Sequence, residues 1–290
     1  MRFFILLLLL PLSAPAQTVL QVVTKNIRKT VPCKPGATLL IHSEKAEIEV
    51  LPGTGPTVTV EAELSARHPV LDSARADLEA WKLVVDVSGG KIAVRAYIGV
   101  DAKAPLPVSG LKAKLRITAP ADCPVRLSNS FGKAHLEKRK GPVVLQGEFC
   151  AFQLEELDGK VELESRYGKV EGRQLSGPVS IQVKRADIEL SGISNACAVK
   201  SEYGNVSLET SRRTGAVTME GEKSDIRITT TDPATHNFEV KTTNGELKLR
   251  HPLPFTVSQP DKNTRQALLQ RDQSLPLVKI VAHLGSVDIR

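Results

Sequence analysis

The feature that most constrains this chain is a ten-residue pattern that recurs at nearly constant spacing between residues 127 and 249. In each copy apolar residues alternate with polar ones, a small residue at the sixth position interrupts the alternation, and the alternation then resumes. The copies start at residues 127, 145, 163, 181, 199, 219 and 240, and outlying copies occupy residues 41–50 and 280–289. Alternation with a period of two is typical of β-strands. Each copy therefore predicts a strand, a bend and a second strand.

A unit of this length buries its apolar face only by stacking on its neighbours, which is the logic of a solenoid. The sequence therefore predicts an all-β fold, a parallel β-solenoid of the right-handed β-helix type built from units of 18–21 residues. Glycines four residues before the next copy close the units, at Gly141, Gly159, Gly177 and Gly215. An antiparallel meander is the alternative, because glycine-centred bends also make hairpins. In a solenoid, Val161, Val179, Cys197 and Val217 point into one core.

The bends leave the size of one coil open. Phe131, Tyr167 and Tyr203 are 36 residues apart, whereas Arg185 and Lys223 fill the bends between and after them. Either one unit makes one coil and neighbouring bends differ, or two units make one coil and the aromatic residues stack in a ladder.

The chain around the array predicts an exported protein with one folded domain. Residues 1–16 carry one Arg, an apolar run and an Ala-x-Ala site, which predicts a secretory signal peptide. Residues 17–290 are predicted to form a single β-solenoid domain: N-terminal strands, a helix and a hairpin in 31–122, the array in 123–249, and a loop and closing strand in 250–290. The helix is predicted over residues 71–81 with residues 72–73 as its cap and Trp81 in the core, and the hairpin turns at Gly89 and Gly90. Residues 250–274 form either a functional loop or a cap over the end of the array.

Three parts of the sequence carry a resemblance to a known family. The segment VPCKPGATLLIHSEKAEIEV at residues 31–50, the repeats and the terminal GSVDI resemble the DUF4097-type bacterial adhesins and the related auto-transporter adhesin head domains. The resemblance implies a β-helix of short Gly-x-(Val/Ile) strand repeats and an adhesin or surface-binding role. It implies no catalytic residue. Ala46, Cys150, Ala186 and Ser224 depart from the glycine of the pattern.

A basic stripe is the candidate ligand-binding feature. Basic residues follow alternate copies, which in a stacked array places them along one edge: Lys138, Arg139, Lys140, Arg173, Arg212, Arg213 and Arg250. Such a stripe could track a polyanion. Alternatively, the same side chains on an edge would block sheet-to-sheet aggregation. The formal net charge of +7 in an exported chain favours anionic envelope polysaccharide or another surface ligand over nucleic acid.

The four cysteines predict at most one disulfide bond. Cys33 and Cys123 each precede the first strand of a copy, which makes them the candidate disulfide, whereas Cys150 and Cys197 occupy bend and core positions. No metal, cofactor or transmembrane segment after the signal peptide is predicted.

The function predicted is a non-enzymatic adhesin or scaffold of the bacterial envelope, located in the periplasm, on the cell surface or outside the cell. The alternatives are a β-helix enzyme acting on polysaccharide, which would need carboxylates such as Asp187, Asp225, Glu202 and Glu222 together on one face, and an envelope-stress signalling partner.

Overall fold

The strands of the computed structural model follow the repeat of the sequence. The model describes residues 20–100, 105–250 and 253–290, so the predicted signal peptide lies outside the described residues. The N-terminal elements are β1 (Gln21–Pro32), β2 (Thr38–Glu44), β3 (Ala46–Gly53), β4 (Thr57–His68), α1 (Leu71–Leu78), β5 (Trp81–Ser88), β6 (Lys91–Ile98) and β7 (Gly110–Pro120). The array is β8 (Val125–Arg139), β9 (Val143–Leu157), β10 (Val161–Leu175), β11 (Val179–Ser191), β12 (Cys197–Thr210) and β13 (Val217–Thr230). A 3-10 turn (Pro233–Thr235) leads to β14 (Asn237–Thr243), β15 (Leu247–Leu249), β16 (Thr256–Ser258), β17 (Thr264–Leu269), β18 (Leu277–His283) and β19 (Val287–Ile289).

Neighbouring copies of the array lie side by side as parallel strands. Val161 pairs in register with Val179, Val179 with Cys197 and Cys197 with Val217. One unit therefore makes one coil, and the antiparallel meander is wrong for the array. Each of these four residues is buried in one apolar core, as predicted. The fold is all-β, with one α-helix among the described residues and a large, mostly parallel sheet.

The order of coils in the stack differs from their order along the chain. β13 pairs not with β14 but with β18 and β19, and these two strands pair on their other side with β14 and β15. The final strands, β18 and β19, thus lie between the coil of β13 and the coil of β14 and β15, although β14 follows β13 in sequence. At the other end, β2 and β3 pair with β8 on one side. On the other side, β2 pairs with β6 and β3 pairs with β7.

Antiparallel strands cover both ends of the stack. β4 pairs with β7 and β1 with β4 at the N-terminal end, where β5 also pairs with β6. At the C-terminal end, β17 pairs antiparallel with β14, and β16 with β17. The predicted loop after residue 250 therefore contains strands that continue the sheet beyond the last coil. This pairing protects the edge of that coil from further strand addition.

The helix is shorter than its sequence pattern predicts. α1 ends at Leu78, and Trp81 is the first residue of β5, where its side chain is buried. The predicted cap at residues 72–73 is wrong. Val70 is the N-cap residue, it makes no side-chain capping bond, and Asp72 lies in the first turn. Packing of Ala74, Leu78 and Trp81 in the core, rather than a cap, holds this segment in place.

Candidate functional site

The fifth residue of every copy lies at a sharp corner of its coil. We call these nine residues the corner ladder: Lys45, Phe131, Phe149, Tyr167, Arg185, Tyr203, Lys223, Leu284 and Asn244, in the order in which the coils stack. All nine have φ between 51° and 59°. This left-handed conformation costs a non-glycine residue about 1–2 kcal/mol. The sequence pattern placed the bend at the small sixth residue, whereas the left-handed residue is the one before it.

The sixth residue is small for a different reason, which is the close approach of the neighbouring coil. A Cβ on Gly204 would lie 2.2 Å from the carbonyl oxygen of Ala186. The glycine of the second turn has the same role, since a Cβ on Gly159 would lie 2.1 Å from the carbonyl oxygen of Gly141. Both distances are far below van der Waals contact, so the parallel stack excludes a side chain at these two glycines. The sixth position of other coils accommodates small side chains: Ala46, Cys150, Ala186 and Ser224.

Side chains of the corner ladder stack on one another along the solenoid. The ring centroids of Phe131 and Phe149 are 5.0 Å apart, and those of Phe149 and Tyr167 are 4.6 Å apart, with interplanar angles of 5° and 3°. Since the coils stack at about 4.8 Å, the strand spacing alone brings the rings into face-to-face contact. The first interpretation of the bends is therefore confirmed, since one unit makes one coil, and the second is wrong. Phe131, Tyr167 and Tyr203 do not stack directly on one another, because Phe149 lies between the first two and Arg185 between the last two.

Phe149 is the residue that sequence reasoning missed. It fills the bend between Phe131 and Tyr167, and its position in the copy is the fifth, as theirs is. Aligning all copies on the fifth residue would have found it. The glycine at the sixth position is the stronger signal in the sequence, and this coil lacks it because Cys150 replaces the glycine.

These rings are exposed although aromatic residues are scarce in the chain. The sequence has 7 Phe, 3 Tyr and 1 Trp. Phe131 is 53% exposed, Phe149 46%, Tyr203 37% and Tyr167 36%. Aromatic side chains contribute most to stability when buried. Their concentration at one exposed corner therefore points to a role beyond core packing.

Cations continue the corner ladder beyond Tyr167. The Arg185 guanidinium carbon lies 5.8 Å from the ring centroid of Tyr167 and 5.4 Å from that of Tyr203. Lys223 Nζ lies 4.9 Å from the Tyr203 centroid and donates a hydrogen bond of 2.9 Å to its hydroxyl oxygen. This hydrogen bond raises the pKa of Lys223 above its ordinary value, so the amine is charged at neutral pH. The ladder thus joins three stacked rings to a cation, a ring and a second cation.

A polar strand face adjoins the corner ladder. Beside the stacked rings, a shallow depression of about 270 Å³ is lined by Ser130, Gln146, Glu148, Glu164 and Arg166 among others. These side chains alternate with the core residues on the first strand of each coil, so they point to the solvent. Aromatic side chains with a small number of polar groups beside them are the usual composition of ligand sites.

The structure contradicts the predicted basic stripe at Arg139. This residue is 0% exposed and occupies the inward register position that Leu157 holds in the next coil. Its Nη1 donates to the carbonyl oxygen of Ala119 at 2.9 Å, and its Nη2 donates to those of Pro120 and Cys123. Burial lowers the pKa of the guanidinium. Arg139 therefore holds the turn before β8 together and is closed to any ligand.

The other basic residues of the stripe do not form one continuous surface. Lys138, Lys140 and Arg213 line a shallow groove of about 660 Å³, which also contains Glu156 and Asp158 beside the two lysines. Lys138 Nζ lies 2.6 Å from a carboxylate oxygen of Glu137 and 3.9 Å from one of Glu156. Because one unit makes one coil, acidic residues of the next coil lie directly beside these lysines. Arg173 stands in register with Glu155 in the same way.

Two further arginines of the stripe are paired with aspartates. Arg212 Nε lies 2.5 Å from Asp232 Oδ2, and Arg250 Nε lies 3.1 Å from Asp288 Oδ1. Polyanion binding by the stripe stays a prediction. Of its six exposed members, three form ion pairs with neighbouring carboxylates: Lys138, Arg212 and Arg250.

The carboxylates required by an enzyme lie on two different faces. Asp187 Oδ1 accepts from the backbone and side-chain nitrogens of Asn205 at 2.8 and 3.0 Å. Asp225 Oδ1 accepts from the backbone nitrogen and hydroxyl of Ser286, and these bonds lower its pKa. Both aspartates therefore tie one coil to the next on the second strand of the unit.

The two glutamates lie together on the first strand instead. Glu202 and Glu222 pair in register, and with Glu220 they line an open depression of about 500 Å³. Lys184 lies 2.7 Å from Glu202, and Lys200 lies 3.8 Å from Glu220. Within the described part of the chain, no group of three or more His, Cys, Asp or Glu side chains is arranged to hold a metal ion.

The cysteines predicted to form a disulfide are neighbours. Cys33 and Cys123 are both buried, and both are free thiols here. Burial, with an additional effect of the adjacent Cys33, raises the pKa of Cys123 to about 11. Cys150 and Cys197 are buried elsewhere, at the bend and core positions expected of them. The disulfide stays a prediction.

Comparisons with known proteins give matches among solved structures only. No helix among the described residues has the length and apolar character needed to cross a bilayer. No family model matches the chain, and no curated protein matches it. Among solved structures, it is similar to a putative adhesin from Parabacteroides merdae ATCC 43184, with a TM-score of 0.44, 11% identity, and coverage of 92% of this chain and 96% of that chain. It is also similar to a putative adhesin from Bacteroides fragilis NCTC 9343 (TM-score 0.40, 12% identity, 92% and 97% covered) and to a putative cell adhesion protein from Clostridium sporogenes ATCC 15579 (TM-score 0.31, 12% identity, 92% and 99% covered).

Proposed function

We propose that this protein is a non-enzymatic, exported right-handed β-solenoid of the bacterial cell envelope, and that it binds a polymeric surface ligand along the corner ladder. One observation carries the proposal: Phe131, Phe149, Tyr167 and Tyr203 are exposed on a single corner of a chain that has few aromatic residues. Exposed apolar groups in contiguous patches mark binding surfaces in soluble proteins.

The stack of coils supports a polymer rather than a small molecule as the ligand. Successive coils repeat the same side-chain position at about 4.8 Å, so the corner offers similar contacts at regular intervals. An extended polymer can occupy several of them at once, and each contact after the first benefits from a high effective concentration. The depressions beside the ladder are shallow and open, which suits a chain lying on the surface.

The left-handed corner gives a second line of support. Glycine or asparagine would fit the backbone at these positions with little strain, and Asn244 is the example in this chain. Aromatic residues at three successive corners accept that strain. Strained residues that cluster at an exposed place are frequent at ligand contacts.

Retention on polysaccharide-coated beads tests the proposal. Wild-type protein should bind beads coated with polysaccharide extracted from bacterial envelopes. The double variant Phe131→Asn/Phe149→Asn should be retained at least tenfold less, because it removes both rings while asparagine keeps the corner conformation. The matched control is Val257→Asn/Leu268→Asn, which removes two exposed apolar side chains at the C-terminal end. Absence of wild-type binding, or equal retention of the ladder variant, would refute the proposal.

Product analysis separates this binding role from the alternative of a polysaccharide-active enzyme. The glutamates of the open depression are the chemically relevant groups, since Glu202 and Glu222 lie side by side. We expect prolonged incubation with the bound polysaccharide to release no fragments. Release that Glu222→Gln abolished would replace the binding proposal with the enzymatic one.

A further inference from the structure

Three cations of the corner ladder, Lys45, Arg185 and Lys223, form no ion pair with a carboxylate of the described residues, and Arg185 and Lys223 contact its aromatic rings. Within the described residues, neither Arg185 nor Lys223 lies within 4.0 Å of a carboxylate oxygen. Lys169 and Lys184 of the same array, in contrast, lie 2.7–3.0 Å from carboxylate oxygens of their glutamates. Arg185 and Lys223 instead contact aromatic rings and direct their charge to the solvent-exposed corner.

The exposed ring edges carry the same sign of potential as these cations. An aromatic ring is electronegative over its face and electropositive at its edge. Phe149 is covered on both faces, by Phe131 and by Tyr167, so its edge is the part that meets solvent. The ladder therefore presents electropositive edges followed by two full positive charges.

Covered ring faces also exclude one class of polyanion. Single-stranded nucleic acids bind by stacking bases on open aromatic faces. Here the faces of Phe149 are already stacked, and Arg185 lies between the rings of Tyr167 and Tyr203. A ligand that contacts edges and cations through oxygen atoms fits this surface better than one that stacks.

We propose, on the basis of the proposed function, that the polymer bound by the corner ladder is an acidic polysaccharide. Its carboxylates pair with Arg185 and Lys223, which lie two coils apart, or about 10 Å along the solenoid. Its sugar rings lie along the edges of Phe131, Phe149 and Tyr167. The phenol hydroxyls of the tyrosines and the polar face beside the rings contribute hydrogen bonds to sugar oxygens.

Binding to polygalacturonate and to dextran tests the charge requirement. Wild-type protein should bind polygalacturonate, an acidic polymer, and bind neutral dextran at least tenfold more weakly. Its affinity should fall as salt is added. The variant Arg185→Gln/Lys223→Gln should bind polygalacturonate at least tenfold more weakly at low salt, and the slope of log affinity against log salt should decrease by about 1–2, roughly one for each contact removed.

A control with the same loss of charge isolates the ladder from the net charge of the protein. Lys262→Gln/Arg265→Gln removes one lysine and one arginine from exposed positions near and in β17. This variant should bind as the wild type does and unfold at the same denaturant concentration. The ladder variant should still unfold cooperatively, with a midpoint lowered only slightly by the loss of its contacts with Tyr167 and Tyr203. Equal binding by the ladder variant and the wild type, or equal binding of dextran and polygalacturonate, would overturn the acidic ligand while leaving polymer binding standing. Absence of binding to polygalacturonate would likewise overturn the acidic ligand, and the proposed function itself would fall only if the envelope-polysaccharide beads also failed to retain the wild type.

Discussion

Replacing Phe149 by alanine and by glycine separates the two energetic consequences of the corner ladder. Phe149→Ala removes two stacked contacts, with Phe131 at 5.0 Å and with Tyr167 at 4.6 Å. At about 0.5–1.5 kcal/mol for each aromatic pair, the loss is about 1–3 kcal/mol. Phe149→Gly removes the same contacts but relieves the left-handed strain at φ 54°.

The strain relief should make glycine the better replacement at this corner. Alanine in the left-handed region costs about 1–2 kcal/mol, whereas the greater freedom of glycine in the unfolded chain costs about 0.5–1 kcal/mol. Phe149→Gly is therefore expected to be more stable than Phe149→Ala by roughly 0.5–1 kcal/mol. The matched control is Ala151, two residues further on in the extended part of β9. There, glycine in place of alanine should lower stability by about 0.5–1 kcal/mol.

The assay is equilibrium unfolding in urea, with free energies compared through the midpoints at a common slope. The sign of the alanine-to-glycine change should reverse between residues 149 and 151. If glycine lowers stability at both positions by similar amounts, the corner is not left-handed. If Phe149→Ala costs nothing, the stacked rings contribute nothing to the fold, and their only role is in binding.

Three further predictions concern buried groups. Arg139→Met should lower the free energy of unfolding by about 3 kcal/mol or more, because three carbonyl acceptors lose their donor. In the same urea assay, the control Lys140→Gln should change the free energy of unfolding by less than ~0.5 kcal/mol. Burial lowers the pKa of His236 in the folded state, so the unfolded chain binds the proton first as pH falls. The contribution of His236 to the free energy of unfolding is therefore complete above pH ~6.5 and is lost as pH falls below that value. His236→Gln should weaken this acid dependence when unfolding is measured from pH 8 to pH 5. Oxidative refolding should link Cys33 to Cys123 and raise the free energy of unfolding by about 4–5 kcal/mol, because the bond closes the intervening chain into a loop. In folded, reduced protein the same buried thiols should resist a thiol reagent at pH 8. Peptide mass spectrometry that found another pairing would contradict this prediction.

The sequence by itself determined the unit and its inward residues. Alternation of apolar and polar residues is a local property, so the strand–bend–strand unit, the buried row through Val161, Val179 and Cys197, and the hairpin at Gly89 and Gly90 could all be predicted. Near-constant spacing also predicted parallel neighbours, because equal units stack with equal positions in register.

Tertiary structure alone decided which coil lies beside which. The edge of β13 could have accepted either the copy at residues 240–249 or the one at 280–289, since both carry the same pattern. The structure places the later copy there, with β14 and β15 outside it. Pairing between strands far apart in sequence depends on competition among similar edges, and the local pattern does not encode that competition.

The same reasoning explains the outcome for the candidate site. Arg139 belongs to a basic run, yet its register position is an inward one, so burial could be assigned only once β8 was aligned with β9. The corner ladder was visible only as separate bends, because its contacts join residues 18 apart along the chain. A stack of coils turns a repeated position into a row of touching side chains, and the contacts of that row exist only in the folded protein.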